Sequence, residues 1–208
     1  DDIGYTRLLT ELGTNTPNGS GVLVSQTEAE NITSLAYMPN VGDAQFTGKV
    51  IIDNSLTNPT GLPSGHATTV GKLLYGNSSS IAPSIDTVNV YEANGWLGAD
   101  YLQATNRRVK PNILSDRVAN HSWIGNATDD AIDLDTAKRV DWVVENDEFI
   151  KAVGLKNNAS TNSPLLSAAF NVIAVGVTDG VHGRSTVSLG APYVSGRTRP
   201  ELVAPFVN

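Results

Sequence analysis

The sequence contains no cysteine among its 208 residues, and this absence excludes disulfide bonds, cysteine-based zinc sites and thiol catalysis. Long apolar runs are also missing, since no stretch approaches the roughly 20 residues that cross a bilayer, and we expect no membrane span. Basic residues are scarce, because 14 Lys and Arg stand against 21 Asp and Glu. No basic run is interleaved with aromatic residues, so nucleic acid is not an expected partner.

The chain does contain enough apolar residues for one substantial core, 40% of the total, and it has no repeat of fixed period. We therefore expect residues 1–208 to form one domain. Six apolar or β-branched runs predict strands, and several are too continuous for a strand with one exposed face, which is typical of a buried parallel sheet. The predicted strands are Gly21–Ser25, Lys49–Ile52, Thr87–Tyr91, Asp116–Ala119, Phe149–Leu155 and Val172–Val177.

Helix-compatible segments lie between these runs, at Thr68–Tyr75, Gly98–Thr105, Asp135–Glu145 and Pro164–Phe170. The third is the clearest, because apolar residues recur on one side of it and an aspartate can cap its N-terminus. Strands that alternate with helices predict an α/β fold in which helices cover a parallel sheet.

Four polar residues follow the predicted strands or open a helix after one: Glu28, His66, Ser122 and Asn157. In an open parallel sheet, chemistry collects at the carboxyl ends of the strands. A carboxylate, an imidazole and a side-chain amide at one edge supply an orienting acid, a general base and an oxyanion donor for acyl transfer. The nucleophile is missing. An isolated histidine at a helix start is more often structural, so the interpretation of His66 depends on its flanking motifs.

The segment around His66, GHATTVGKLLYG, resembles the catalytic-histidine motif G-H-G-T-H-V-A-G of the subtilisin-like serine peptidases. Ala67 and Thr69 stand where that family has a glycine and a second histidine. Other motifs follow in the family's order. SIAPSIDTVNVYEA resembles G-V-A-P-x-A, while NVIAVGVTDGVHGRSTVSLG and PELVAPFVN resemble V-I-A-V-G-A-V-D…F-S-x-x-G and D-V-x-A-P-G. The resemblance covers nearly the whole chain and implies a three-layer fold with a mostly parallel central sheet flanked by helices.

Two further motifs imply residues that contact substrate. VANHSWIG resembles V-I-N-M-S-L-G, one wall of the family's cleft, and implies that Ser122, Trp123 and Gly125 lie along an extended peptide. AVGLKNN stands where the family has A-A-G-N, which implies that Asn157 is the oxyanion amide, although Lys156 occupies a position usually held by glycine.

Two residues are candidates for the acid that orients His66. The family's V-A-V-I-D-[ST]-G motif aligns with GSGVLVSQTEAE and implies Glu28, whereas KVIIDNS offers Asp53. His66 lies 38 positions after Glu28 and only 13 after Asp53. Thirteen positions leave little room for the crossover and strand that separate acid and base in this family. We favour Glu28 and keep Asp53 as the alternative.

The family's serine motif, G-T-S-[MF]-A-x-P, does not occur in this sequence, whose last residue, Asn208, comes just after the A-P-G-like segment. We therefore expect a domain that is incomplete at its C-terminal side. A second chain from the same precursor, produced by cleavage near Asn208, would carry the serine and be its partner. A segment omitted from the printed sequence is the alternative.

The resemblance implies a serine endopeptidase with a Glu/Asp-His-Ser triad, acting on extended peptides or proteins and exported to a secreted or periplasmic location. The departures at Glu28, Ala67, Thr69 and Lys156 keep a second interpretation open. In that interpretation the chain is an inactive pseudoprotease that binds peptides or acts as a scaffold.

No cofactor is required for this chemistry. The acidic loop DDAIDLD could hold a structural calcium ion through Asp129, Asp130 and Asp133. We favour a solvated loop whose carboxylates complement the dipole of the following helix.

Overall fold

The computed structural model describes residues 3–56, 59–155, 165–178, 187–188 and 198–205. Seven strands form one sheet in the order β2-β3-β1-β4-β5-β6-β9, and every neighbouring pair in it is parallel. The two remaining strands form a short antiparallel pair. The strands are β1 Val24–Glu28, β2 Val50–Asp53, β3 Thr87–Glu92, β4 Val118–His121, β5 Ile150–Gly154, β6 Ile173–Val177, β7 Val187–Ser188, β8 Thr198–Arg199 and β9 Leu202–Ala204.

All six predicted strands are present, which confirms the α/β class. The largest shift is in β1, which was expected at Gly21–Ser25 and instead spans Val24–Glu28. This strand lies in the middle of the sheet, paired with β3 on one side and β4 on the other, and all five of its residues are buried. The buried amide of Gln26 forms its hydrogen bonds inside the protein.

Four helices are described: α1 Tyr5–Leu12, α2 Gly65–Tyr75, α3 Ala93–Leu97 and α4 Asp130–Asp147. The predicted helix at Gly98–Thr105 is wrong, because that segment consists mainly of turns and the helix lies just before it. The Glu92 carboxylate accepts hydrogen bonds from the backbone amides of Asn94 and Gly95, and so starts α3 earlier than expected. The helix expected at Pro164–Phe170 is also wrong where it is described, since residues 165–170 form a bridge, turns and bends.

Helix α4 begins five residues before the predicted start at Asp135. Asp129 caps it, because its Oδ1 accepts a 2.9 Å hydrogen bond from the amide of Ile132. Oδ1 of Asp133 accepts from the amide of Ala127 at 2.8 Å. Within the described part of the chain, no group of three or more His, Asp or Glu side chains is arranged to hold a metal ion.

The core has two parts, one on each face of the sheet. Val24 and Val88 pack with Tyr75 of α2 on one face. On the other face, Ala119 and Val153 belong to the cluster that contains Val140 of α4. Helices therefore cover both faces of a parallel sheet, which is the three-layer arrangement expected from the sequence. No helix among the described residues is long and apolar enough to cross a membrane.

Candidate active site

A histidine–carboxylate pair joins the start of α2 to the end of β1. His66 is the second residue of α2, and Glu28 is the last residue of β1. The Nε2 atom of His66 lies 3.3 Å from Oε2 of Glu28. The His66 side chain is 63% exposed whereas that of Glu28 is 1% exposed, so the imidazole faces solvent with a buried acid behind it.

Gln26 and Tyr75 hold the Glu28 side chain in place. Nε2 of Gln26 donates a 2.8 Å hydrogen bond to Oε1 of Glu28 and a 2.9 Å bond to the carbonyl of Ala67. The Tyr75 hydroxyl donates to Oε1 of Gln26 at 2.6 Å, which fixes the orientation of the amide. This chain of hydrogen bonds connects β1 to α2 at two points, and so it sets the distance between Glu28 and His66.

Burial raises the pKa of Glu28 from 4.5 to about 7, although the Gln26 hydrogen bond and the nearby His66 both act to lower it. Oε2 of Glu28 accepts no hydrogen bond from any described residue, and the His66 ring is the polar group that faces it. The carboxylate therefore has one free oxygen directed at the imidazole.

Asp53, the alternative acid, has different neighbours. It ends β2, which lies at the edge of the sheet and is separated from β1 by β3. Its carboxylate accepts a 2.6 Å hydrogen bond from the Tyr37 hydroxyl and a 3.0 Å bond from the amide of Ser55. The structure thus brings Glu28 to His66, and it places Asp53 in a separate contact with Tyr37.

The His66 ring has a second contact, with the segment that follows β4. Its Nε2 lies 3.0 Å from the carbonyl oxygen of Ser122. A backbone carbonyl can only accept hydrogen bonds, so the proton of the imidazole is on Nε2 in this arrangement. In a Ser-His-Asp triad the acid faces Nδ1 and Nε2 faces the nucleophile. The ring must therefore turn over to act as the base, and its high exposure leaves room for that rotation.

A cleft of about 740 Å³ opens at the carboxyl ends of β4, β5 and β6. Parallel strands end here at the same edge, and this is where such sheets bind ligands. Ser122 and Trp123 form part of its wall, and Gly125 lies next to it, with its carbonyl accepting a 3.1 Å hydrogen bond from the amide of Leu165. The lining consists of His66, Asn120 and residues 122–124, 152–155 and 175–177.

Asn157, the expected oxyanion amide, lies outside the described residues. The described part of β5 ends at Gly154, and the following Leu155 lines the cleft. Among the described residues, no hydroxyl group forms a hydrogen bond with His66.

Sequence reasoning missed Gln26 and Tyr75. A signal for Gln26 was present, because residues two apart on a strand point to the same face, and Gln26 stands two before Glu28. Tyr75 carried no such signal, since its contact with Gln26 spans 49 positions.

These features define an α/β protein with a histidine–carboxylate pair beside a cleft at the carboxyl edge of a parallel sheet. The chain is similar to solved structures of the prenylagaramide maturation protease PagA, with a TM-score of 0.58 and 16% identity over 85% of this chain and 59% of that one. It is also similar to the patellamide maturation protease PatG, with a TM-score of 0.55 and 12% identity over 85% and 61% of the two chains. A structure of the PatG macrocyclase domain matches with a TM-score of 0.53 and 10% identity over 84% and 61%.

The chain therefore has a subtilisin-like fold. It spans about three fifths of the length of these similar structures. No family model and no curated protein matches the sequence.

Proposed function

We propose that this chain carries the acid and the base of a subtilisin-like serine endopeptidase and that the serine comes from a segment outside the printed sequence. The observation that supports the proposal is the Glu28–His66 pair, 3.3 Å apart at the edge of the cleft. The similar solved structures support the reaction class, because PagA and PatG are named as maturation proteases.

In the proposed mechanism, the serine hydroxyl gives its proton to His66 and its oxygen attacks the peptide carbonyl. His66 then passes the proton to the leaving amine, and water releases the acyl group in a second round of the same transfers. Glu28 orients the imidazole and stabilises its charged form. Asn157 and a backbone amide would stabilise the oxyanion.

The substrate in this proposal is an extended peptide that lies along residues 120–125. Trp123 supplies an apolar wall, and Ser122 and Gly125 offer backbone groups to the peptide. The partner that completes the domain is the C-terminal chain of the same precursor. A secreted or periplasmic location and the absence of a required cofactor remain predictions from the family resemblance.

A serine-directed phosphonate tests the proposal on the complete protein, with all of its chains. We expect the reagent to label one serine, with the mass increase found on a segment that is not in this sequence. His66→Ala should label far more slowly, because the serine loses its base. Asp53→Asn is the matched control and should label like the wild type. A folded protein whose serines all resist the reagent would contradict the proposal.

The contact between His66 and the Ser122 carbonyl favours a second candidate. That contact engages Nε2, the atom that would accept the serine proton, in a 3.0 Å interaction. A pseudoprotease that keeps the cleft and binds peptides without cleaving them fits this conformation. Sequencing of the completing segment separates the two candidates, because a segment without the serine leaves only the binding function.

A further inference from the structure

A second histidine, His121, lies buried behind the cleft wall and contacts a buried lysine. His121 ends β4, and Lys151 is the second residue of β5, the neighbouring strand. The side chains are 0% and 1% exposed, respectively. Nζ of Lys151 lies 2.5 Å from Nε2 of His121. The proposed mechanism uses neither residue, so the contact needs its own explanation.

The other nitrogen of the His121 ring determines where its proton is. The indole Nε1 of Trp123 lies 3.2 Å from Nδ1 of His121. An indole N–H can only donate, so Nδ1 must accept and carries no proton. A neutral imidazole keeps its single proton on the remaining nitrogen, which is Nε2.

The protonated Nε2 then determines the state of Lys151. An N–H at Nε2 is a donor, so Nζ of Lys151 has to accept the hydrogen bond. An ammonium group has three donors and no acceptor, whereas an uncharged amine has a lone pair. With an uncharged Lys151, each hydrogen bond in the series from Trp123 to His121 to Lys151 has one donor and one acceptor. With an ammonium group, the N–H of His121 would face another N–H donor.

The surroundings of Lys151 agree with an uncharged amine. Within the described ranges, no carboxylate forms an ion pair with it. Its Nζ lies 3.9 Å from the centroid of the Trp96 ring and 5.8 Å from that of Phe149. Amine hydrogens can point at the face of an indole ring. Burial holds the pKa of Lys151 well below its usual range, and it also holds the pKa of His121 low.

We propose that Lys151 is kept as an uncharged amine and that, through His121, it positions the Trp123 indole as the wall of the cleft. Lys151 and His121 are positioning residues here, since Trp123 is the one that lines the cleft. The aromatic wall makes this subsite suited to an apolar side chain of the peptide. That last consequence rests on the proposed function, whereas the protonation states and the position of Trp123 do not.

Nitrogen NMR of the complete protein, with labelled histidine and lysine, tests the protonation states. At pH 7 we expect His121 with its proton on Nε2 and none on Nδ1, and Lys151 with the signal of an amine. A proton on Nδ1 of His121, or an ammonium signal from Lys151, would overturn the proposal. These signals do not depend on hydrolysis. If the protein shows the expected signals but cleaves no peptide, the proposed function is refuted and the assigned protonation states stand.

The Lys151→Met variant tests the positioning, because methionine keeps an unbranched side chain, one atom shorter, and lacks the amine that accepts the hydrogen bond. We expect the Trp123 indole N–H to exchange with solvent at least tenfold faster, and KM for an apolar peptide to rise several-fold with kcat little changed. Lys138→Met, at an exposed position of α4, is the matched control. Unchanged Trp123 exchange in a folded Lys151→Met variant would overturn the positioning role.

If the variant does not fold, an acid titration of the unmodified protein tests the positioning of Trp123 instead. A proton added at Nδ1 of His121 removes the acceptor of the Trp123 indole. The His121 nitrogen signals and the Trp123 N–H signal should therefore change with one shared midpoint. Separate midpoints would overturn the positioning role.

Discussion

Gln26 and Glu28 lie on the same face of β1, and the amide of Gln26 donates a 2.8 Å hydrogen bond to the carboxylate of Glu28. The Gln26 amide also accepts the 2.6 Å hydrogen bond of the Tyr75 hydroxyl. The acid of the candidate site is thus held by the strand that carries it and by the helix that carries His66. Every prediction about this site depends on that arrangement.

Replacing Gln26 with leucine should destabilise the protein by about 2–4 kcal/mol, because the hydroxyl of Tyr75 and the carbonyl of Ala67 lose buried partners. Urea denaturation measures the change. Tyr75→Phe removes only the outer hydrogen bond and should cost less, about 1 kcal/mol. If both variants had the same urea midpoint as the wild type, the hydrogen bonds among Tyr75, Gln26 and Glu28 would not stabilise the fold.

The pH dependence of stability should reveal Glu28. Its folded pKa of about 7 lies above its ordinary value of 4.5, so the folded state binds more protons than the unfolded state between these values. The contribution of Glu28 to stability is therefore fully present below about pH 4.5 and is lost as the pH rises through 7. Over this pH range, the free energy of unfolding of the wild type should fall by about 3 kcal/mol compared with that of Glu28→Gln.

The comparison requires urea denaturation of wild type and Glu28→Gln from pH 4 to pH 8. Glu11→Gln is the control, because that carboxylate is 54% exposed and pairs with Arg7 on the surface of α1. The difference measured for Glu11→Gln is the baseline for the comparison. A difference between Glu28→Gln and the wild type that does not change with pH would show that the pKa of Glu28 is not raised.

Peptide hydrolysis by the complete protein should distinguish the two candidate acids. Glu28→Gln should lower kcat by roughly 10³ to 10⁴, the effect expected when an orienting carboxylate becomes an amide. Asp53→Asn should stay within a few-fold of wild type, because the amide oxygen still accepts from the Tyr37 hydroxyl. A large loss with Asp53→Asn and a small one with Glu28→Gln would assign the acid to Asp53.

Much of the fold could be predicted from the sequence, because continuous apolar runs such as Val172–Val177 are characteristic of buried parallel strands. The expected helix at Gly98–Thr105 failed for a local reason. Apolar spacing does not show that the carboxylate of Glu92 caps the preceding segment and starts the helix five residues earlier. Helix starts depend on such single contacts, which periodicity does not record.

The candidate site was predictable where its residues lie close to recognisable motifs, as with His66. The contact of Lys151 with His121 was not predictable. It joins residues 30 positions apart on neighbouring strands, and a lysine in a strand is ordinarily assigned to an exposed face. The structure shows that His121 is fully buried as well.

The start of α4 allows a test of the calcium interpretation. Asp129 accepts a 2.9 Å hydrogen bond from the amide of Ile132, so Asp129→Ala should cost about 1 kcal/mol of stability. Asp129→Asn keeps an oxygen acceptor and should cost less. Thermal unfolding with calcium or with a chelator should give the same midpoint for the wild type, because the described carboxylates serve the helix start. A midpoint that calcium raises in wild type, but not in Asp129→Asn, would instead establish a metal site, since a bound ion stabilises only the state that binds it.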